Sequence, residues 1–208
     1  MGPIVLEAIN LDCVRGKRRL FHSLSFELEA GASLFVRGQN GSGKTSLLRI
    51  LAGLTPPSAG TVRWKGNSLQ KQTDEWRRDL CYYGHLLGLK DDLTAAENLV
   101  YATALANKPI SHAAVLEALH QSGLQGREHL PVRTLSQGQK RRASLARLLL
   151  HRRPLWILDE PLTALDDEAT QWVLRMISDH LRDGGIVVWT SHLDMPLSGA
   201  TRTLRINL

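Results

Sequence analysis

The chain has 208 residues, 43% of them hydrophobic and 22% charged, and a formal net charge of +6. That length suits one domain with room for an inserted subdomain, and the composition excludes a disordered chain. No apolar run approaches the roughly eighteen residues of a membrane-spanning helix, and Met1-Gly2-Pro3-Ile4-Val5 lacks the regions of a secretory signal, so no export is expected. Cys13 and Cys81 are far apart and lack CxxC spacing. Reduced cytoplasmic thiols are therefore expected, and a disulfide scaffold or structural zinc site is excluded. The basic balance favours an anionic partner: a nucleotide, nucleic acid or an anionic membrane surface.

Short strands are expected from Ile4 to Leu11 and from Ser23 to Leu28, where apolar and polar residues alternate, with a basic turn from Arg15 to Arg19. Leu34-Phe35-Val36 reads as a short buried strand before a glycine-rich loop. Ser46 to Gly53 reads as a helix with Leu47, Leu48, Ile50 and Leu51 on its apolar side. A loop from Thr55 to Gly60 leads into a strand, Thr61 to Trp64. Between Asp92 and Leu130, alanines, leucines and histidines recur at helical spacing, which predicts an inserted helical subdomain. Ser136 to Leu150 is a second strong helix, and Leu155–Leu158 and Ile186–Thr190 are buried strands. Strands alternating with helices imply an α/β core with a parallel sheet.

Gly38-Gln39-Asn40-Gly41-Ser42-Gly43-Lys44-Thr45 fits GxxxxGK[ST] at every position, with Ser46 next in line. It stands after an expected strand and opens an expected helix, the context this motif requires. Glycines let the backbone curl so that its N–H groups converge on phosphate oxygens, and the helix N-terminus adds partial positive charge. Lys44 would bridge the β- and γ-phosphates of ATP, and the Thr45 hydroxyl would ligate Mg²⁺. Leu155-Trp156-Ile157-Leu158-Asp159-Glu160 delivers two carboxylates at the C-terminal end of a strand, the end that faces the ligand crevice of a parallel sheet. Asp159 would hold Mg²⁺, directly or through water. Glu160 would polarise the attacking water as general base.

Leu135-Ser136-Gln137-Gly138-Gln139, before a basic leucine-rich helix, resembles the LSGGQ signature of ATP-binding cassette (ABC) ATPases. Thr163-Ala164-Leu165-Asp166 resembles the D-loop of that family, and Ser191-His192 its His switch, in the family's order. The resemblance implies a P-loop NTPase (RecA-like) core with an N-terminal antiparallel β region and an inserted helical subdomain. Residues 1–84 and 132–208 would form the nucleotide-binding core and 85–131 the helical subdomain. It further implies a homodimer in which two subunits pair head to tail. Ser136, Gly138 and Gln139 of one copy, with Asp166 nearby, would complete the nucleotide site of the other, and His192 would contact the γ-phosphate.

Three departures stand out. Gln137 replaces the usual glycine, while Ser136 and Gly138 are kept. His85, in Tyr83-Gly84-His85-Leu86-Leu87-Gly88, falls where the family places a glutamine touching the Mg²⁺ site. Arg15, in Cys13-Val14-Arg15-Gly16, stands where relatives stack an aromatic on adenine; it either stacks through its guanidinium plane or is a solvent-facing turn residue. Within the family, the strings Trp64-Lys65-Gly66, Gly84-His85-Leu86-Leu87-Gly88-Leu89-Lys90 and Leu93-Thr94-Ala95-Ala96-Glu97-Asn98-Leu99 resemble the ATP-binding subunits of cytochrome c maturation complexes.

That resemblance implies a peripheral subunit on the cytoplasmic face of a bacterial inner membrane. Its partner would be a CcmB-like integral membrane subunit, with CcmC-, CcmD- and CcmE-like proteins in the wider complex. Hydrolysis of ATP would drive haem export or release of haem from its periplasmic chaperone. The alternatives are the ATPase of another ABC transporter, for lipid, peptide or metal export, or a soluble ABC ATPase. No haem ligand is assigned: CxxCH is absent, and His112 and His120 read as a solvated helix face. The cluster Lys140-Arg141-Arg142, with Arg147, Arg152 and Arg153, reads likewise as a solvated face rather than a nucleic-acid surface, so no nucleic-acid partner is expected.

A neutral imidazole accepts a hydrogen bond from metal-bound water, whereas an imidazolium does not. His85→Gln is therefore expected to change the pH profile of ATPase activity between about pH 6 and 8. Superimposable profiles of the variant and the natural protein would remove this role.

Overall fold

The computed structural model describes residues 4–69, 73–105, 110–151, 153–192 and 197–208. Met1–Pro3 and Arg152 lie outside the described residues. The chain packs as two compact units. One comprises Met1–Tyr82, Arg153–Pro161 and Ile177–Leu208, and the other Tyr83–Arg152 and Leu162–Met176.

The first unit holds two sheets. In the antiparallel one, β1 (Ile4–Arg15) and β2 (Arg18–Glu29) form a hairpin, and β1 also pairs with β4 (Ala59–Trp64), which pairs with β5 (Asn67–Ser68). The basic turn is tighter than the sequence implies. Only Gly16 and Lys17 lie outside the strands, and Gly16 has a φ of 60°. Such two-residue turns require a positive φ that glycine adopts without strain.

The second sheet has the order β6 (Leu80–Tyr83), β7 (Leu155–Leu158), β8 (Ile186–Thr190), β3 (Ala32–Arg37), β9 (Arg202–Asn207). β7 runs parallel to β8, β8 to β3, and β3 to β9. The central strands read as unbroken apolar runs because both faces are covered, and every residue of β7 and β8 is buried. β9 lies at an edge and alternates, with Leu204 and Ile206 half-buried between exposed neighbours that include Arg202 and Arg205. Charged residues on an edge strand discourage pairing with other chains. No strand is legible there in the sequence, since a six-residue edge strand carries a weak pattern. β6, α2 (Thr73–Asp79) and α6 (Asp167–Arg182) are likewise beyond the elements expected from the sequence. Helix α1 (Lys44–Leu51) begins two residues earlier than expected, directly at the glycine loop.

In the second unit, the stretch from Asp92 to Leu130 resolves into α3 (Ala95–Leu105) and α4 (His112–Gln121). Leu135, Ala143 and Ala146 share one apolar core with Leu99, Val115 and Leu119. The long helix α5 (Gln137–Leu150) thus belongs to this unit, which reaches beyond the 85–131 of the sequence analysis. His112 and His120 are both exposed, as a solvated face requires, and each has a neighbour. His112 stacks on His129 at 6.2 Å, and His120 Nε2 lies 2.5 Å from Glu128 Oε1. Neither cysteine forms a disulfide, and both are buried. Among the described residues no helix is long and apolar enough to cross a membrane.

At the C-terminal end of α6, the His180 ring lies flat on Trp156 of β7, with centroids 3.8 Å apart and planes 4° from parallel. Its Nε2 is buried with no hydrogen-bond partner. Burial pushes the imidazole down from 6.5 to about 4, overcoming the upward pull of backbone acceptors and of Asp183. A base whose folded pKa is depressed stabilises the fold fully above its unfolded value and loses that contribution as pH falls towards the folded one. Acidification from neutrality to pH 5 should thus cost about 2 kcal/mol through this ring. His180→Phe keeps the stack and removes the proton site. The expected outcome is a smaller loss of urea stability between pH 7 and 5 than in the natural protein; an equal loss would show that another group dominates.

Candidate functional site

The parallel sheet aligns the ends of three strands. At the C-terminal end of β3 stands the loop Gly38–Thr45, at that of β7 the pair Asp159–Glu160, and after β8 comes Ser191-His192. In a parallel sheet these ends share one edge, where ligands bind. β8 lies between the other two strands, in register Leu158↔Trp189 and Val36↔Thr190.

The loop is built on left-handed glycines: Gly38, Gly41 and Gly43 have φ of 147°, 79° and 115°. A methyl at Gly38 would strike Ser42 Oγ and come within 2.6 Å of the Leu208 carbonyl; one at Gly43 would lie 3.0 Å from Leu20 Cβ. Gly43 is also the N-cap of α1, so the helix's unpaired N–H groups open into the loop. Lys44 Nζ donates to the carbonyls of Gly38, at 2.7 Å, and Gln39, at 3.2 Å, folding the cation over its own loop. Ser42 Oγ is buried and unpartnered. Thr45 is exposed on the first turn, with Ser46 beside it. Gln39 and Asn40 are exposed at the loop's crest.

Asp159 is 3% exposed. Its Oδ1 accepts from the Thr190 hydroxyl at 2.9 Å, and its Oδ2 is buried without a hydrogen-bond partner. The same Thr190 oxygen accepts from the Glu160 N–H at 2.8 Å. Glu160 has a φ of 52°, a conformation costly for a residue with a Cβ and maintained here by that bond. Its Oε1 is buried, lacks a hydrogen-bond partner and lies 3.4 Å from His192 Nε2, whose side chain is 63% exposed. The charge of Asp159 also reaches β6, where burial first and that charge second push the Tyr82 phenol up. Thr190 is the residue that sequence reasoning misses. It reads as the last position of an apolar strand, and only the register of β8 against β7 reveals its task.

The orphaned Asp159 oxygen is a ready acceptor for a cation. Among the described residues no group of three or more His, Cys, Asp or Glu could hold a metal alone. A Mg²⁺ carried chiefly by phosphates and water needs no such cage. Arg15, at the end of β1, is exposed on the hairpin whose Leu20 and Phe21 pack beside Gly43.

In the second unit, Ser136 is the N-cap of α5. Its Oγ accepts from the Gln139 N–H at 3.3 Å, and Gln139 Oε1 accepts from the Ser136 N–H at 3.0 Å, a reciprocal capping box. Gly138 is required by close approach: a methyl there would sit 3.2 Å from the Ala164 carbonyl. Gln137 is exposed, so its departure from glycine meets nothing. Asp166 accepts the Ala169 N–H at 2.9 Å and both arms of a bond from Arg142 Nη2, at 2.6 and 2.5 Å. First the Ala169 N–H and then Arg142 hold its carboxyl below the usual range. Arg142, Ser136, Gly138 and Asp166 line one polar concavity. His85 is exposed in the bend after β6.

The basic cluster is not a solvated face. Arg141 is 7% exposed; its Nε donates to the Tyr83 hydroxyl at 3.1 Å and its Nη1 to the Thr163 carbonyl at 2.8 Å. Arg153 is 9% exposed and donates to the carbonyls of Arg77 and Arg78. Lys140 pairs with Asp91 at 3.1 Å. These cations hold loops in place, a task that a run of charges in sequence does not reveal.

The ABC transporter family model matches residues 21–163, and the chain belongs to that family. It is also similar, at 54% identity over 97% of this chain and 100% of the relative, to the cytochrome c biogenesis ATP-binding export protein CcmA of Dechloromonas aromatica (strain RCB). The CcmA of Pseudomonas aeruginosa is 53% identical over 97% of this chain and 99% of its own. Among solved structures, a bacterial ABC transporter cassette, MJ0796, determined as a dimer, superposes with a TM-score of 0.84 at 22% identity, covering 97% of this chain and 94% of that one. That likeness establishes the fold.

Thr190→Val keeps the shape of the strand end but leaves the Glu160 N–H and Asp159 Oδ1 without their partner. Each buried orphan costs roughly 1–3 kcal/mol, so the melting temperature is expected to fall. ATPase activity of the assembled complex should drop roughly 10- to 100-fold, with a smaller change in KM for ATP, because both carboxylates lose their aim. Unchanged turnover would show that Thr190 does not position them.

Proposed function

We propose that the chain is the ATP-hydrolysing motor of a membrane ABC complex for cytochrome c biogenesis, driving haem export or release of haem from its periplasmic chaperone. The observation that carries this reading is the end-to-end similarity to the Dechloromonas aromatica protein. It extends over the helical unit as well as the motifs that all such ATPases share.

The geometry supports a division of labour. N–H groups of Gly38–Thr45 bind the phosphates, and Lys44 exchanges the Gly38 and Gln39 carbonyls for β- and γ-phosphate oxygens. Thr45 and Asp159 hold Mg²⁺, with Asp159 Oδ2 as the free acceptor. When bound, the ion supplies neutralisation of phosphate charge. Glu160 takes the proton of the attacking water, and His192, 3.4 Å from Glu160, contacts the γ-phosphate and keeps that water in line. Arg15 stacks on adenine, and His85 stands in for the family's glutamine at the Mg²⁺ site. Ser136 and the Gly138 N–H open the N-terminus of α5 to the γ-phosphate held by a second copy, with Gln139 beside them and Asp166 on the same surface. The working form is thus a C₂ homodimer assembled head to tail. It sits on the cytoplasmic face of the inner membrane, docked on a CcmB-like integral subunit, with CcmC-, CcmD- and CcmE-like proteins nearby.

Haem-stained gels of cells lacking the gene should lose the bands of covalent haem. The natural gene should restore them, and Glu160→Gln should not. Bands that persist without the gene would refute the role in cytochrome c biogenesis while leaving the ATPase intact.

A further inference from the structure

We propose that Arg18 is a phosphate-binding residue of the nucleotide site, reaching it from the tip of the β1–β2 hairpin with Arg15 beside it. This rests on reading Gly38–Thr45 as a phosphate loop. Alternation along β2 puts Arg18 and Leu20 on one strand face. Both meet the loop: a methyl at Gly43 would lie 3.0 Å from Leu20 Cβ, and one at Gly41 would lie 3.9 Å from Arg18 Nη1. Leu20 thus packs the hairpin onto the loop, and the Arg18 guanidinium is carried over Gly41, where left-handed backbone turns N–H groups towards an anion.

The cross-strand pairing adds a second, independent observation. Arg15 and Arg18 are directly opposite partners in the hairpin, so their side chains leave from the same face. Like charges so placed repel. Neither arginine has an ion pair or a side-chain hydrogen bond among the described residues, and both are exposed. Arg19, next along the strand, acts elsewhere. Its charge helps to lower the Asp12 carboxyl, after the larger effects of the Ser23 N–H and His22. Two uncompensated guanidiniums on the face that meets a phosphate loop suit one anionic ligand, with Arg18 at its phosphates and Arg15 at its base. A nucleoside polyphosphate is the anion that this loop selects, and a planar guanidinium offers paired donors to phosphate oxygens.

The test is titration of the purified full chain with ATP and ADP, together with thermal unfolding. Arg18→Gln should weaken binding of ATP about 10-fold and flatten its salt dependence, and Arg18→Lys should recover part of the loss. Without nucleotide, Arg18→Gln should melt no lower than the natural protein, since it relieves repulsion with Arg15. A role in structure alone would lower that melting point and leave affinity unchanged. Lys44→Ala serves as the reference. If Lys44→Ala loses binding while Arg18→Gln keeps the affinity and salt dependence of the natural protein, the proposal falls. If Lys44→Ala itself binds ATP normally, the phosphate-loop reading falls, and the proposal with it.

Discussion

One buried hydroxyl holds the chemistry of the sheet unit together. Thr190 donates to Asp159 and accepts from the Glu160 N–H, joining the ends of two parallel strands. The bond to the backbone keeps Glu160 in a left-handed conformation that would otherwise be costly. It separates the tasks of two adjacent carboxylates, which simple strand alternation would send to opposite faces. Asp159 is left with one buried oxygen that lacks a hydrogen-bond partner, and Glu160 with one oxygen facing His192. The hydroxyl is in place only because β7 and β8 pair in a single register, which their unbroken apolar burial on both faces enforces.

The helical unit has its own organising element in α5. The first turn of this helix ends in unpaired N–H groups, and a capping box satisfies only some of them. Farther along, consecutive arginines fasten different segments: Arg141 ties the Tyr83 hydroxyl to the Thr163 carbonyl, and Arg142 grips Asp166. Ser144 adds a bond from its hydroxyl to the Leu87 carbonyl. The segment carrying His85 and the segment carrying Asp166 are therefore both anchored on the helix whose N-terminus presents Ser136 and Gly138. A buried guanidinium stranded by loss of its partners is expensive, so these bonds tie the loops to α5.

Much of the site was legible along the chain. The phosphate loop announces itself because its constraint is local: glycines at fixed spacing, a lysine and a threonine opening a helix. The Asp159–Glu160 pair is legible for the same reason, at the end of an apolar strand. The parallel sheet follows from strands alternating with helices, and the buried strands from their apolar runs. The basic run after Gln139 misleads, because polarity in sequence is read as exposure. Arg141 and Arg153 are buried on carbonyls and a phenol that come from distant segments. The edge strand β9 is missed because its alternation is short, and its pairing with β3 is a long-range event.

The sequence by itself determined the class of fold, the family, and the candidate groups for binding ATP, since each is encoded in a contiguous stretch with its own local geometry. Tertiary structure alone decided which neighbours give those groups their aim. Thr190 reaches Asp159 across 31 positions of chain, Arg142 reaches Asp166 across 24, and Arg18 reaches the loop at Gly41 through the packing of Leu20 on Gly43. Such partners are fixed by strand register and helix packing, and no local pattern in the chain records them.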